Sequence, residues 1–356
     1  MSSATRRDPT SATGASSAAA RWTERLLSQG GLRGRRRRRT PRTAFVLSGG
    51  GNLGALQVGM LRASLEAGIL PDLLVGCSVG AMNGAALAGD PTLRGVRRME
   101  ALWARADEFG VMPSSWLPSS LSLARRGSSV HGNDGLRRAL DYGLVVDTFE
   151  ALRVPFCCNA TEVDTAEERW FDSGPLIEPI LASAALPAIY PPVVIDGRRY
   201  LDGGVVDDVP ISRAVALGAD RLVVMHVGLF QRELPEPRRP IDVARWAFWL
   251  ARRSRFRDDL EAASEHAEVI LMGPGERPAV KFDDFSRSAE LIQAGYDAGR
   301  ATLAEVGLLT AADPSAEPAE AARGPERGAT ASSAVADRAE APVVGETGHA
   351  APERTR

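Results

Sequence analysis

The distribution of apolar residues predicts an alternation of short strands and helices along the central part of the chain. Residues 44–47 form a continuous apolar run that stops at three glycines, which is typical of a strand buried on both faces. Apolar positions then recur every three or four residues as far as Leu65, as in a helix. A second run, 73–75, ends at Gly76 and leads into an Ala-rich helix over about 81–88. This order indicates a parallel α/β unit.

Later segments extend the same pattern. Apolar runs predict further core strands at residues 154–158 and 221–227. Two shorter runs, 193–195 and 199–201, flank Asp196-Gly197, which is a favoured two-residue hairpin turn. The sequence therefore predicts a mainly parallel sheet with one added hairpin.

Charge divides the 356 residues into three parts. The net charge of -2 combines +9 in residues 1–42 with -8 in 43–309 and -3 in 310–356. Both ends are poor in branched apolar and aromatic residues, so we predict a disordered basic leader (1–42) and a disordered Ala/Glu/Pro-rich tail (310–356). The folded unit is then 43–309, and 44% apolar residues in the whole chain suffice for its core.

Several classes of protein are excluded by composition. No apolar run approaches the roughly 18 residues of a membrane span, and the first 30 residues lack the apolar region of a signal peptide. Three cysteines, two of them adjacent, form neither a disulfide framework nor a metal motif, so we expect a cytoplasmic protein without metal.

The leader contains a run of five arginines, which predicts either a solvated arm or a peripheral contact with an anionic membrane surface; nucleic acid is not expected. They are Arg35, Arg36, Arg37, Arg38 and Arg39.

The segment Gly76-Cys77-Ser78-Val79-Gly80 has the form GxSxG and lies between a predicted strand and a predicted helix. A serine on such a tight turn needs neighbours without Cβ atoms. The turn presents its hydroxyl at a helix N-terminus, where backbone N–H groups stabilise negative charge. This context indicates a nucleophile at Ser78, whereas the motif alone is a weak signal that also fits an ordinary glycine-rich turn.

A second glycine-rich loop, Gly49-Gly50-Gly51-Asn52-Leu53-Gly54, also follows a strand and begins a helix. Parallel strands place both loops at the same sheet edge, so the amides of this loop would form an oxyanion hole beside Ser78. The loop also satisfies the GxGxxG pattern of dinucleotide sites. That alternative needs an acidic residue at the end of the second strand, where Gly76 stands instead.

Asp202-Gly203-Gly204 follows the predicted hairpin. Ser78 requires a base to become nucleophilic, and Asp202 is the favoured candidate because the four histidines are poorly placed. His266 remains an alternative third member of a Ser-Asp-His triad. The other three lie in a polar loop (His131), in an apolar strand (His226) and in the predicted tail (His349).

Taken together, the GGGxxG loop, the GxSxG turn, the segment Ala182 to Pro192 and the Asp-Gly-Gly motif resemble the patatin-like phospholipase family. The resemblance covers about residues 43–209, with the same domain expected to continue to 309. It implies a three-layer α/β/α acyl hydrolase with a dyad of Ser78 and Asp202, an oxyanion hole at the first three glycines, and no cofactor. Leu53 stands where the family often has Arg or Lys, which leaves room for neutral esters or lysolipids as substrates.

The predicted function is a serine acyl hydrolase that cleaves lipid esters through an acyl-enzyme. Its glycines Gly54, Gly76, Gly80, Gly203 and Gly204 would support the motifs. Two other classes stay open at this stage: a non-catalytic lipid-binding or regulatory module of the same fold, and a dinucleotide-binding oxidoreductase.

Two further segments bear on how a substrate or a membrane would reach the predicted site. Residues 241–253 combine tryptophans with arginines, which indicates either an interfacial helix or a helix packed on the sheet. Residues 107–147 contain Pro113, Trp116 and Pro118, which are typical of a loop or lid.

Overall fold

The computed structural model describes residues 40–112, 132–228, 236–237, 240–281 and 283–309. The predicted tail and all but the last three residues of the predicted leader lie outside this range, as do Arg35–Arg39. So do Pro113, Trp116 and Pro118 of the segment predicted as a loop or lid, together with His131 and His349. Predictions on these residues, and the division of the chain into three parts, stay predictions.

The described residues contain a sheet of eight strands, ordered β5-β6-β3-β2-β1-β7-β8, with β4 paired to β3. The strands are β1 (Thr43–Leu47), β2 (Leu73–Gly76), β3 (Phe156–Glu162), β4 (Glu168–Phe171), β5 (Val193–Ile195), β6 (Arg198–Asp202), β7 (Arg221–Met225) and β8 (Glu268–Met272). Five neighbouring strands of this order run parallel: β3, β2, β1, β7 and β8. Strands β4 and β6 are antiparallel to β3.

Strand positions agree with the sequence pattern except at some boundaries. β1 pairs with β2 and β7, with Val46 opposite Val75 and Val224. The third core strand begins at residue 156 instead of 154 and continues to 162. Pro155 has no N–H to donate to the ladder, and its carbonyl accepts the N–H of Leu74 just before the strand begins. In the hairpin, Asp196 and Gly197 both have positive φ, 50° and 76°, as the predicted turn requires.

Helices cover both faces of the sheet. They are α1 (Gly54–Glu66), α2 (Val79–Gly89), α3 (Leu93–Ala104), α4 (Asp134–Gly143), α5 (Ile177–Ser183), α6 (Ile211–Ala216), α7 (Pro240–Ser264) and α8 (Ser288–Glu305). Among the described residues, no helix has the length and apolar character needed to cross a bilayer.

The alternation of side chains along β1 separates two apolar clusters. Phe45 and Leu47 pack with residues of α1–α5 and α8, while Ala44 and Val46 pack with residues of α6 and α7. All four side chains are fully buried. The predicted fold class, a three-layer α/β/α sandwich with a mainly parallel central sheet, is confirmed.

Candidate active site

Ser78 occupies a strained turn between β2 and α2. β2 ends at Gly76, α2 begins at Val79, and Ser78 between them has φ 54° and ψ -123°. A residue with a Cβ atom in this region costs about 1–3 kcal/mol and persists only where its surroundings hold it. Here the Ser78 N–H donates to Oγ of Ser183 at 2.8 Å, which fixes the turn against α5.

The two glycines of the GxSxG motif are required by close backbone approach. A Cβ atom on Gly76 would lie 2.4 Å from the carbonyl oxygen of Gly80, and one on Gly80 would lie 2.3 Å from that of Leu47. Both distances are far below van der Waals contact, and both obstacles are backbone atoms. The start of α2 can therefore pack against the end of β1 only with glycine at these positions.

The glycine-rich loop after β1 lies against this turn. Gly50 and Gly51 line the same cavity as Ser78, and Gly51 has a positive φ of 59°. A Cβ atom on Gly54 would lie 2.3 Å from Cγ2 of Val79, so the loop and the start of α2 are in direct contact. Gly49 differs from its two neighbours, because its N–H donates to the carbonyl of Asp208 at 3.0 Å.

Asp202 ends β6 and is buried, with 4% of its surface exposed. Its Oδ1 accepts the N–H of Gly204 at 2.7 Å, and its backbone N–H donates to the carbonyl of Ala185 at 2.9 Å. A Cβ atom on Gly203 would lie 2.5 Å from Oδ1 of Asn159, so the Asp-Gly-Gly turn fits tightly over β3. These contacts hold the carboxylate in one position.

The surroundings of Asp202 shift the pKa of its carboxyl in opposite directions. Burial raises the pKa of the Asp202 carboxyl above its ordinary value, whereas the Ser78 hydroxyl, the Arg252 guanidinium and the Gly204 N–H act in the opposite direction. The neighbouring thiol of Cys77 lies 3.9 Å from Oδ1 of Asp202. Burial and the Asp202 charge both raise the pKa of Cys77, so this side chain remains a neutral thiol.

Ser78 and Asp202 line one cavity of about 190 Å³. Its walls away from these two residues are mainly apolar and come from α2, α3, α4 and the segments beside them. The apolar lining consists of Val79, Met82, Ala86, Leu102, Trp103, Ala106, Phe109, Val111, Met112, Leu136, Ala139, Leu140, Leu144, Ala184, Leu186 and Phe285. The site therefore joins a polar end to an apolar interior.

Sequence reasoning missed two charged residues of the polar end. Asp208 and Arg252 form an ion pair and both line the cavity. The signal for Asp208 is its position in the sequence, because it stands shortly after the Asp-Gly-Gly motif. The sequence contains no signal for Arg252, because α7 packs on the sheet face opposite α2 and the residue enters the site only through tertiary packing.

None of the described histidines lies at the site. His266 is exposed near the end of α7, before the first residue of β8 and thus at the opposite sheet edge from Ser78. His226 is buried, with Nδ1 3.1 Å from the carbonyl oxygen of Gly228 and its ring against Phe256. Burial lowers the pKa of His226 to about 3, as in a neutral core histidine. The triad alternative with His266 is therefore wrong.

Within the described ranges, no group of three or more His, Cys, Asp or Glu residues is arranged to hold a metal ion. The expected lack of a metal or cofactor stays a prediction.

The fold and site define an α/β protein with a serine on a strand–turn–helix element beside a buried aspartate. Residues 45–215 match the profile of the family described as Patatin-like phospholipase, which is the family that the sequence motifs resemble.

Curated relatives include lysophospholipases from fungi. The chain is 29% identical over 281 residues to lysophospholipase nte1 of Aspergillus terreus, a match that covers 73% of this chain and 18% of the relative. It is 30% identical over 193 residues to lysophospholipase NTE1 of Phaeosphaeria nodorum, covering 54% of this chain and 12% of the relative. The matched region is thus less than a fifth of the length of either relative.

Similar solved structures include VipD from Legionella pneumophila and a human GIVD cytosolic phospholipase A2. VipD has 16% identity and a TM-score of 0.42, covering 75% of this chain and 67% of its own. The human enzyme, in complex with methyl γ-linolenyl fluorophosphonate, has 15% identity and a TM-score of 0.37, covering 82% and 62% of the two chains.

Proposed function

We propose that this protein is a carboxylic ester hydrolase that cleaves lipid esters, with Ser78 as nucleophile and Asp202 as general base. The observation that carries the proposal is the position of Ser78: it has φ 54° at the start of α2 and shares with the buried Asp202 the polar end of an apolar cavity. The match of residues 45–215 to the patatin-like phospholipase profile and the lysophospholipase names of the relatives support a lipid substrate. The head group, whether phospholipid, lysophospholipid or neutral lipid, stays open.

In the proposed reaction, Oγ of Ser78 attacks the ester carbonyl carbon while its proton passes to the carboxylate of Asp202. The tetrahedral intermediate collapses, and the alcohol leaves with the proton held by Asp202. Water then attacks the acyl-enzyme, giving its proton to Asp202; the bond between the acyl carbon and Oγ breaks, Asp202 returns the proton to Oγ of Ser78, and the fatty acid leaves. Each half-reaction returns the carboxylate to its starting state.

The oxyanion of the intermediate needs N–H donors that are not already used. Among the described backbone hydrogen bonds, the N–H groups of Gly50, Gly51 and Val79 have no acceptor, and these residues line the same cavity as Ser78. Val79 is the first residue of α2, so its N–H also carries the positive end of the helix dipole. Gly49 is removed from the predicted set because its N–H donates to Asp208. Loss of one such donor typically costs 10²–10³ in kcat.

The apolar interior fits an acyl chain. Val79, Met82 and Ala86 line the cavity along one side of α2, which places about 10 Å of wall between the first and the last at 1.5 Å of rise per residue. An extended alkyl chain advances about 1.25 Å per carbon, given C–C bonds near 1.52 Å. The cavity therefore accommodates about eight carbons, and we expect medium-chain esters to be bound along their full length.

The first experiment is labelling of the full chain with a fluorophosphonate probe, together with hydrolysis of p-nitrophenyl octanoate. Ser78→Ala should abolish labelling and reduce kcat by several orders of magnitude, and Asp202→Asn should reduce kcat strongly. Ser254→Ala and Asp258→Asn, on the exposed side of α7, are matched controls that should retain wild-type values. Labelling of Ser78→Ala, or wild-type turnover by Asp202→Asn, contradicts the dyad. A folded wild-type chain that binds lipid without labelling or turnover identifies a lipid-binding module.

We also propose that the protein contacts membranes at its periphery through α7. Val243 and Leu250 on this helix are 53% and 52% exposed, and because they are about two turns apart they lie on one face of it. Flotation of the full chain with anionic vesicles tests this, since Val243→Ser combined with Leu250→Ser should weaken binding. Equal flotation of wild type and variant refutes a role for the helix and leaves the arginine-rich leader as the candidate contact.

A further inference from the structure

Arg252 and Asp208 form a charged pair at the polar end of the cavity, and the proposed dyad does not use them. Asp208 is fixed by the loop after β1, because its carbonyl accepts the N–H of Gly49. Its carboxylate pairs with the Arg252 guanidinium, whose side chain is 26% exposed. Among the described residues that line the cavity, no other lysine or arginine is present.

Three charged atoms converge around Gly204. A Cβ atom on this glycine would lie 3.0 Å from Nη2 of Arg252, 3.0 Å from Oδ1 of Asp202 and 2.9 Å from Oδ1 of Asp208. Since Nη2 of Arg252 and Oδ1 of Asp202 each lie 3.0 Å from this one point, the two atoms are no more than twice 3.0 Å apart. The last glycine of the Asp-Gly-Gly motif leaves the space in which this arrangement fits.

The other groups around Asp202 supply little positive charge. Ser78, Cys77 and Thr161 are neutral; the hydroxyl of Thr161 donates to the carbonyl of Asp202. Asp207 is a further acid, and it pairs with Arg255. A buried carboxylate without a nearby cation is protonated more readily.

We propose that Arg252 is a positioning residue which, held by Asp208, supplies the positive charge that keeps the buried Asp202 carboxylate ionised and therefore able to act as base. This inference rests on the proposed function. A guanidinium stays protonated in proteins, so Arg252 keeps its positive charge while it is paired with Asp208. Burial raises the pKa of Asp202 and lowers the pKa of Arg252, and the attraction between the two charges opposes both shifts.

The test is the pH dependence of kcat/KM for p-nitrophenyl octanoate and of the rate of fluorophosphonate labelling. In Arg252→Gln the acid limb of both profiles should move to higher pH, with a loss of about tenfold on that limb for each pKa unit and a smaller loss on the plateau. Arg252→Lys should restore the limb toward wild type because it keeps the charge. Arg253→Gln, an exposed neighbour that stacks on Trp249, is the matched control.

Three results overturn the inference. The first is an acid limb that stays unchanged in active Arg252→Gln; the second is an equal loss at every pH, which indicates a structural role; the third is a change confined to KM, which indicates substrate binding. Arg252→Met keeps the aliphatic stem and replaces Arg252→Gln if that variant does not fold. If wild-type protein neither hydrolyses the ester nor is labelled at Ser78, the proposed function itself fails, and this outcome is distinct from an unchanged acid limb in an active variant.

Discussion

The strained turn at Ser78 predicts that the protein sacrifices stability for its nucleophile. Replacing Ser78 by glycine removes the Cβ atom that makes φ 54° unfavourable, whereas replacement by alanine keeps it. Both variants lose the hydroxyl and its interaction with Asp202, so the comparison between them cancels that contribution. We expect Ser78→Gly to be more stable than Ser78→Ala, although both are inactive.

The size of the difference follows from three effects. Relief of the backbone strain favours glycine by about 1–3 kcal/mol. The greater freedom of glycine in the unfolded chain opposes this by about 0.4–1 kcal/mol, and loss of a half-buried Cβ opposes it by less than about 0.8 kcal/mol. The net effect is about 1 kcal/mol in favour of glycine, which corresponds to a rise in Tm of about 2–4 °C for a domain of this size.

Differential scanning calorimetry of the two full-length variants measures this difference. Ser254 provides the control, because it is exposed inside α7, where glycine is less stable than alanine by about 1 kcal/mol. The Tm of the glycine variant should therefore be higher than that of the alanine variant at position 78 and lower at position 254. If Ser78→Gly melts at or below Ser78→Ala, the turn stores no strain and the reasoning is refuted.

Three further predictions concern packing, substrate and pH. Gly80→Ala should cost about 1–3 kcal/mol or more in urea unfolding, because its Cβ would meet the carbonyl of Leu47; a stability equal to wild type contradicts this. Ala86→Phe should lower kcat/KM for octanoate more than for acetate esters of p-nitrophenol, and a parallel loss would place the acyl chain elsewhere. The pKa of His226 is lowered by burial from 6.5, its value in an unfolded chain, to about 3 in the folded protein. The unfolded state therefore binds more protons between these two pH values, and the free energy of unfolding should fall as pH drops from 6.5 to 3. His226→Gln should flatten that part of the stability–pH curve, and an unchanged slope refutes the assignment.

Apolar patterning predicted the parallel core well because its strands are buried on both faces and bounded by glycine or proline. The hairpin turn at Asp196-Gly197 was equally predictable, since few residue pairs accept two positive φ angles. The boundary of β3 was less so, because the apolar run continues through Pro155 while hydrogen bonding does not. The three chemical motifs are also local, each contained within a single strand end and its turn.

The partners of the site were harder to predict. The sequence predicted that the N–H of Gly49 belongs to the oxyanion hole. In the structure this N–H donates to the carbonyl oxygen of Asp208, and only folding brings the two residues together. The choice between an Asp base and a triad with His266 likewise depended on which sheet edge each residue occupies.

The sequence by itself determined the turn at Ser78, the glycines around it and the order of strands and helices, because these depend on backbone conformation and on the spacing of apolar residues. Tertiary structure alone decided which side chains meet. β6 enters the sheet next to β3 and carries Asp202 to the edge where Ser78 stands. α7 packs on the opposite face, and its Arg252 reaches the same edge. Such contacts between distant segments depend on how the layers stack, which local periodicity does not encode.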